Sequence, residues 1–177
     1  MNTGRLLLLP DDPEAPERER RLAALGLGAA PVPALDAHAA RLAAGAGAPF
    51  AGVNFVHTDH QYLAGLHPRG VPAAARRLPR AHGFCPYVVV RRKALVLDDV
   101  RDYPRFSPNE AVDLSGVHAY LGAPLTDHDG FVLGTLWAAA REPRDWGREA
   151  LALVKTLAAE LAPLVREGGA ERRGGGA

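Results

Sequence analysis

The sequence predicts an α+β domain whose antiparallel sheet carries helices on one face and a long, mostly irregular segment on the other. Three observations predict it. Helical patterns stand at the two ends of the chain, two pairs of apolar strand-like segments lie between them, and a stretch with little periodicity separates the pairs. Helices and hairpins grouped in blocks are the α+β order and not the alternating βαβ order. The strand segments are too apolar to leave either face wet, so the middle stretch is expected to cover the second face.

Each element follows from local chemistry. Residues 1–12 read as an extended arm, with Leu6 to Leu9 too short a run for a membrane span or a signal-peptide core. Asp12, Pro13 and Glu14 form a helix entry, with a side-chain acceptor at the cap, a preset φ and an acid in the first turn. That helix extends to about Leu27, where Gly26 and Gly28 stop it. A second helix is expected over residues 33–44, with Leu35, Ala39, Leu42 and Ala43 on one face and Gly45 and Gly47 beyond it. Residues 50–56 and 61–66 pair as a hairpin across the polar turn from His57 to His60.

A short basic helix is expected over 72–78. Val88, Val89 and Val90 favour a strand after Cys85-Pro86, so any helix there is one turn or absent. Residues 94–98 form a short strand, and 99–115 a polar loop broken by Pro104 and Pro108. A second hairpin joins 118–125 to 131–138 through Asp127-His128-Asp129-Gly130, where glycine supplies a positive φ. Residues 148–167 close the domain as an amphipathic helix bearing Leu151, Val154, Leu157, Ala158, Leu161 and Val165, with Pro163 expected to bend its last turn. The glycine-rich stretch 168–177 reads as a disordered tail.

Composition narrows the function. Twenty-one basic against 20 acidic residues give a net charge of +1. That is no field for nucleic acid or an anionic membrane, so neither is expected as a partner. The single cysteine, Cys85, cannot form an internal disulfide, and a reducing, cytoplasmic setting is expected.

Ordered pieces carry a family resemblance. PFAGVNFV from Pro49 and QYLAGL from Gln61 stand as the first two strands. GFCPYVV from Gly83 stands before the central strands, and LVLDDVRDYPRF from Leu95 is the strand and loop that follow. YLGAPL from Tyr120, Asp129-Gly130 and LGTL from Leu133 make the last hairpin. In this order and spacing the chain from about Arg21 to Val165 resembles the GAF family of regulatory domains. The resemblance implies a six-stranded antiparallel sheet, a GAF-like domain over residues 13–167, and a ligand pocket under the crossover segment. It implies a sensor of a small molecule or of redox state, without naming the ligand; no enzyme activity is expected, because Cys85 is the only cysteine and no catalytic residue set is recognisable. GAF domains commonly pass signals to an attached effector. None is recognisable here, so output through a separate protein is expected, as is homodimerisation through the terminal helices, where Leu153 and Leu164 lie beyond the main apolar stripe. An interaction module without a ligand is the alternative.

Nine residues are candidates for the pocket. Asn54 lies in the first strand. His82, Phe84 and Cys85 precede the central strands. Asp99, Arg105 and Phe106 lie in the polar loop, where Arg105 would contact an anion. His118 and Tyr120 share a strand face if the register alternates. Cys85 admits two readings, a thiolate favoured by a helix N-terminus and a buried thiol packed as a small hydrophobe. Asp99 and its neighbours equally fit loop capping. One GAF subfamily reduces free methionine-(R)-sulfoxide with a thiolate and a resolving cysteine; Cys85 has no second cysteine to resolve it. The pairs His57/His60 and His82/Cys85 have metal-ligand spacing, but nothing in the sequence joins them, and no metal or other cofactor is expected. No catalytic residue set is recognisable.

Overall fold

Six strands form one antiparallel sheet in the order β3-β2-β1-β6-β5-β4: β1 (Phe50–Val56), β2 (His60–His67), β3 (Arg77–Pro79), β4 (Leu95–Leu97), β5 (Ala119–Thr126) and β6 (Val132–Ala140). The structure is a computed structural model and describes residues 9–168. Most of the expected N-terminal arm and the stretch 169–177 lie outside the described residues. The α helices are α1 (Ala15–Leu25), α2 (Pro33–Ala46), α3 (Cys85–Arg91), α4 (Glu110–Ser115) and α5 (Gly147–Glu167).

Strand alternation sorts two cores. Ala51, Val53 and Phe55 of β1 and Leu136, Ala138 and Ala140 of β6 pack with Leu22 of α1, Leu35 and Leu42 of α2, and Val154, Leu157 and Leu161 of α5. On the opposite face Val56, Tyr120 and Val132 pack with Phe84, Tyr87, Val88 and Val89 of the α3 region and with Phe106. The chain between β2 and β5 is the crossover that covers this second face.

Two β-bulges adjust which side chains face which core. β1 pairs Val53 with Gly65 but Asn54 with Leu63, so Ala64 is the extra residue of β2. β5 pairs Leu125 with Gly134 but Thr126 with Val132, which leaves Leu133 extra in β6. An extra residue resets the period-2 alternation. Leu63 and Leu66, three apart, therefore both face the crossover.

Several local expectations are corrected. α1 begins at Ala15 with no side-chain cap bond, and Asp12 serves elsewhere. Its carboxylate pairs with Arg18 at 2.7 and 3.1 Å and also with Arg80. Arg18 is fully buried and donates to the Val132 carbonyl at 2.9 Å. A buried guanidinium needs a carboxylate far more than a helix-end N–H, which water can satisfy, needs a cap.

Residues 72–78 are not a basic helix. A single 3₁₀ turn (Ala73–Ala75) leads into β3, because the free edge of β2 offers a ladder that a short polar helix cannot match. The valines after Cys85 are helical, as α3. Pro86 sets the first turn, and Val88 and Val89 are fully buried, so tertiary burial overrides β-propensity. The polar loop holds a 3₁₀ turn (Val100–Asp102) and α4, which Asn109 caps by accepting from Ala111 N at 2.9 Å.

Candidate functional site

A cleft of about 520 Å³ lies between the crossover and the face of β1, β2 and β6. Its interior is built from Asn54, Leu63, Leu66, Phe84, Cys85, Ala111, Tyr120 and Ala139, all buried, with Trp137 across its floor. Its mouth is marked by the exposed residues Pro68, Arg69, Val71, Ser115 and Arg141.

Two glycines make room for the aromatic floor. Gly52 stands opposite Trp137 in the β1–β6 ladder, and a Cβ there would come within 2.6 Å of the indole. A Cβ on Gly122 would come within 2.5 Å of the Tyr120 hydroxyl. Both positions let a ring lie against a neighbouring backbone.

A buried polar chain ties the floor to the roof. Trp137 Nε1 donates to Asn54 Oδ1 at 2.7 Å, and Asn54 Nδ2 donates to Gln61 Oε1 at 3.0 Å. Gln61 Nε2 then donates to the carbonyls of Pro79, Arg80 and His82 at 3.1, 3.2 and 2.6 Å. Gln61 is fully buried, so its amide has no water to turn to. Asn109 pins the same loop from the other side. Its Oδ1 accepts from Gly83 N at 2.8 Å, and its Nδ2 donates to the carbonyls of Gly83 and Ala81 at 2.7 and 3.3 Å. The roof is thus held by the chain's own side chains.

Cys85 sits at the inner end, 3% exposed, with Sγ 3.3 Å from the Tyr120 hydroxyl. Burial pushes its thiol up to about 12, outweighing the hydrogen bonds from Tyr120 and Thr135 that pull the other way. Burial likewise raises the Tyr120 phenol, so the two face each other uncharged. The position at the start of α3 does not make a thiolate: desolvation of a fully buried charge outweighs the field of so short a helix.

The structure brings five of the nine predicted pocket residues to the cleft: Asn54, His82, Phe84, Cys85 and Tyr120. The other four do not line it. Asp99 accepts from Arg101 N at 3.1 Å and from its guanidinium at 2.9 and 2.8 Å, the loop-capping arrangement. Arg105 lies over the rings of Tyr87 and Phe106, at 5.6 and 5.9 Å from their centroids. Phe106 is buried edge-on against Tyr87 and Phe84 in the core beneath the crossover. His118 precedes β5 and serves through its backbone, donating to Ala140 O and accepting from Val100 N. All four are engaged within the chain, outside the lining of the cleft.

The histidine pairs stand apart. His57 Nε2 bonds to the Gly28 carbonyl at 2.9 Å while its ring stacks on His60 at 4.2 Å. His82 reaches Ser115 Oγ at 3.1 Å. Among the described residues no group of three or more His, Cys, Asp or Glu side chains is placed to hold a metal ion. Gln61, Asn109, Trp137, Arg69 and Arg141 were not anticipated. Asn54 within an otherwise apolar strand was the one signal that a buried polar partner must exist.

An antiparallel six-stranded sheet with helices behind it and a roofed cleft in front is an α+β architecture shared with solved GAF domains. The GAF domain model matches residues 30–163, and the chain belongs to that family. A cyclic di-GMP phosphodiesterase of Pseudomonas aeruginosa is 36% identical over 70 residues, which are 39% of this chain and 12% of that protein. The chain thus matches only a small part of that relative's length.

Two solved structures illustrate the shared fold. The GAF domain of a phosphoenolpyruvate-protein phosphotransferase from Coxiella burnetii has a TM-score of 0.61 at 23% identity, covering 80% of this chain and 83% of its own. The free methionine-R-sulfoxide reductase of Neisseria meningitidis in complex with its substrate has a TM-score of 0.58 at 20% identity, covering 90% and 95%. No described helix is long and apolar enough to cross a membrane.

Proposed function

We propose that this chain is a sensory domain that binds a small molecule in the cleft under the crossover and passes the binding event to another protein surface. The observation that carries the reading is the cleft itself: about 520 Å³, largely apolar inside, with its roof fixed by Gln61 and Asn109. A preformed concave site with an apolar lining and a few placed polar groups is the usual form of a ligand pocket. Cys85 supports ligand contact more than redox sensing, since a buried thiol raised to about 12 is a poor nucleophile at neutral pH. The same observation argues against a thiol reductase. For the output, Leu153 is engaged inside the chain against Gly45 of α2. A helix-mediated dimer would therefore rest on the Leu164 side of α5.

The test is a thermal-shift screen of anionic, neutral and cationic metabolites, followed by Trp137 fluorescence. A ligand should raise the melting temperature and change Trp137 emission. Val71→Trp at the mouth and Ala139→Trp inside should both abolish the response. No stabilising compound, or stabilisation unaffected by both substitutions, would sink the reading.

A further inference from the structure

The mouth of the cleft has a chemistry of its own. The ladders pair Ala51 with His67 and Phe50 with Ala139, so the end of β2, the start of β1 and the end of β6 meet at one end of the sheet. Arg69 and Arg141, just beyond the ends of β2 and β6, line the cleft there together with Phe50. Arg141 packs its aliphatic stem beside Gly116, and its guanidinium lies over the Phe50 ring at 5.0 Å from the centroid.

Nine of the sixteen described arginines have carboxylate partners: Arg18, Arg20, Arg21, Arg41, Arg76, Arg77, Arg80, Arg92 and Arg101. Among the described residues neither Arg69 nor Arg141 does, and no Asp or Glu lines the cleft. Glu110 influences His82 at the cleft's other end but is not part of the lining. Two unneutralised guanidiniums thus flank the opening of an apolar, aromatic cavity.

We propose, resting on the ligand-binding reading above, that the cleft takes a small carboxylate with an apolar body. The carboxylate meets Arg69 and Arg141 at the mouth, and the body lies along Phe50, Trp137, Leu66 and Leu63. A guanidinium presents parallel N–H donors that match a carboxylate, and Arg141 is already oriented by the Phe50 face. The interior offers the body apolar contact and lacks any acid that would favour a cationic ligand. This amphipathic division sets the ligand class: neither a wholly polar anion nor a neutral hydrocarbon matches both ends.

The experiment compares three probes of one shape, naphthalene-2-acetate, naphthalene-2-acetamide and 2-(naphthalen-2-yl)ethylamine, titrated into the full chain by calorimetry. The carboxylate should bind about tenfold tighter than the amide, and the amine weakest. Arg69→Gln and Arg141→Gln, both at exposed positions and each checked for retained fold by circular dichroism, should each weaken the carboxylate roughly three- to tenfold and leave the amide unchanged. Added salt should weaken the carboxylate alone. Equal binding of acid and amide, or carboxylate affinity unmoved by both substitutions, overturns the arginine site while leaving a ligand cleft. Tightest binding by the amine overturns the charge assignment. Binding by none of the three overturns this ligand class, and the broader metabolite screen then decides separately whether the cleft binds anything.

Discussion

Gln61 Nε2 donates to the His82 carbonyl at 2.6 Å, and this contact anchors the roof of the cleft to the sheet beneath it. The same amide also reaches the carbonyls of Pro79 and Arg80, and its oxygen receives Asn54. One buried side chain thereby sets the height of the loop over the cavity. Gln61→Leu keeps the volume and removes every one of these bonds. It should cost about 1–3 kcal/mol in urea unfolding, since the partners stay buried and unpaired. Hydrogen exchange in the 79–83 segment should accelerate beyond the global change. Uniform exchange across the chain would show that the loop is held by other means.

Gly52 tests the aromatic floor. With its would-be Cβ 2.6 Å from the Trp137 ring, Gly52→Ala forces the indole to move or the strands to part. A loss of about 1–3 kcal/mol is expected, the range for overpacking a filled site. Trp137 emission should shift as its bond to Asn54 breaks. An unchanged spectrum and midpoint would mean that the floor has slack.

Cys85 should be silent in the folded protein. Its burial and a thiol raised to about 12 predict negligible labelling by iodoacetamide at neutral pH, with full labelling in urea. Rapid labelling of the native chain would reopen the redox reading. The same shift predicts alkaline sensitivity. The folded thiol titrates above the unfolded value of 9.0, so stability is complete below that value and declines as pH rises towards 12.

Asp12 is the hub of a buried charge cluster. Its side chain is 4% exposed and serves both Arg18, which is 0% exposed, and Arg80. Asp12→Ala leaves a buried guanidinium without its carboxylate and should cost about 3 kcal/mol or more in chemical denaturation. Arg101→Ala, which breaks the exposed pair with Asp99, should leave the midpoint nearly unchanged. Equal effects from the two would contradict the burial argument.

Acid should weaken the fold through two imidazoles. Burial is the largest influence on His57 and on His82, and it lowers both below the ordinary 6.5. The unfolded chain then binds protons that the native chain resists. Stability is complete above 6.5 and is lost as pH falls through the depressed native values. Melting temperature should drop between about pH 7 and about pH 5, and His57→Gln, whose amide can still donate to Gly28 O, should flatten the drop. A wild-type profile flat across that range would remove the imidazoles from the account.

Some of this was legible beforehand because local chemistry decided it. β1 begins at Phe50 and ends at Val56 as its apolar run requires, and α2 begins at Pro33, where proline sets the first φ. The order of hairpins and helices, and the family, followed from such pieces. Local chemistry failed where a partner distant in the chain took over. Asp12 left its cap for Arg18, the valines of α3 gave up strand for burial, and residues 77–79 became an edge strand because β2 was free.

The sequence by itself determined the α+β class, the two hairpins, the closing helix and the cleft's inner wall from Phe84 to Cys85, because periodicity and turn residues act over a few positions. Only the tertiary structure decided which polar residues face the cleft. Bulges at Ala64 and Leu133 reset strand alternation, and register brought Arg69 and Arg141 to one end of the sheet beside Phe50. Asp99 is engaged by Arg101, Arg105 lies over Tyr87 and Phe106, and His118 is tied through its backbone to Ala140 and Val100, so none of the three lines the cleft. Those outcomes depend on contacts between residues tens of positions apart, and no local pattern encodes them.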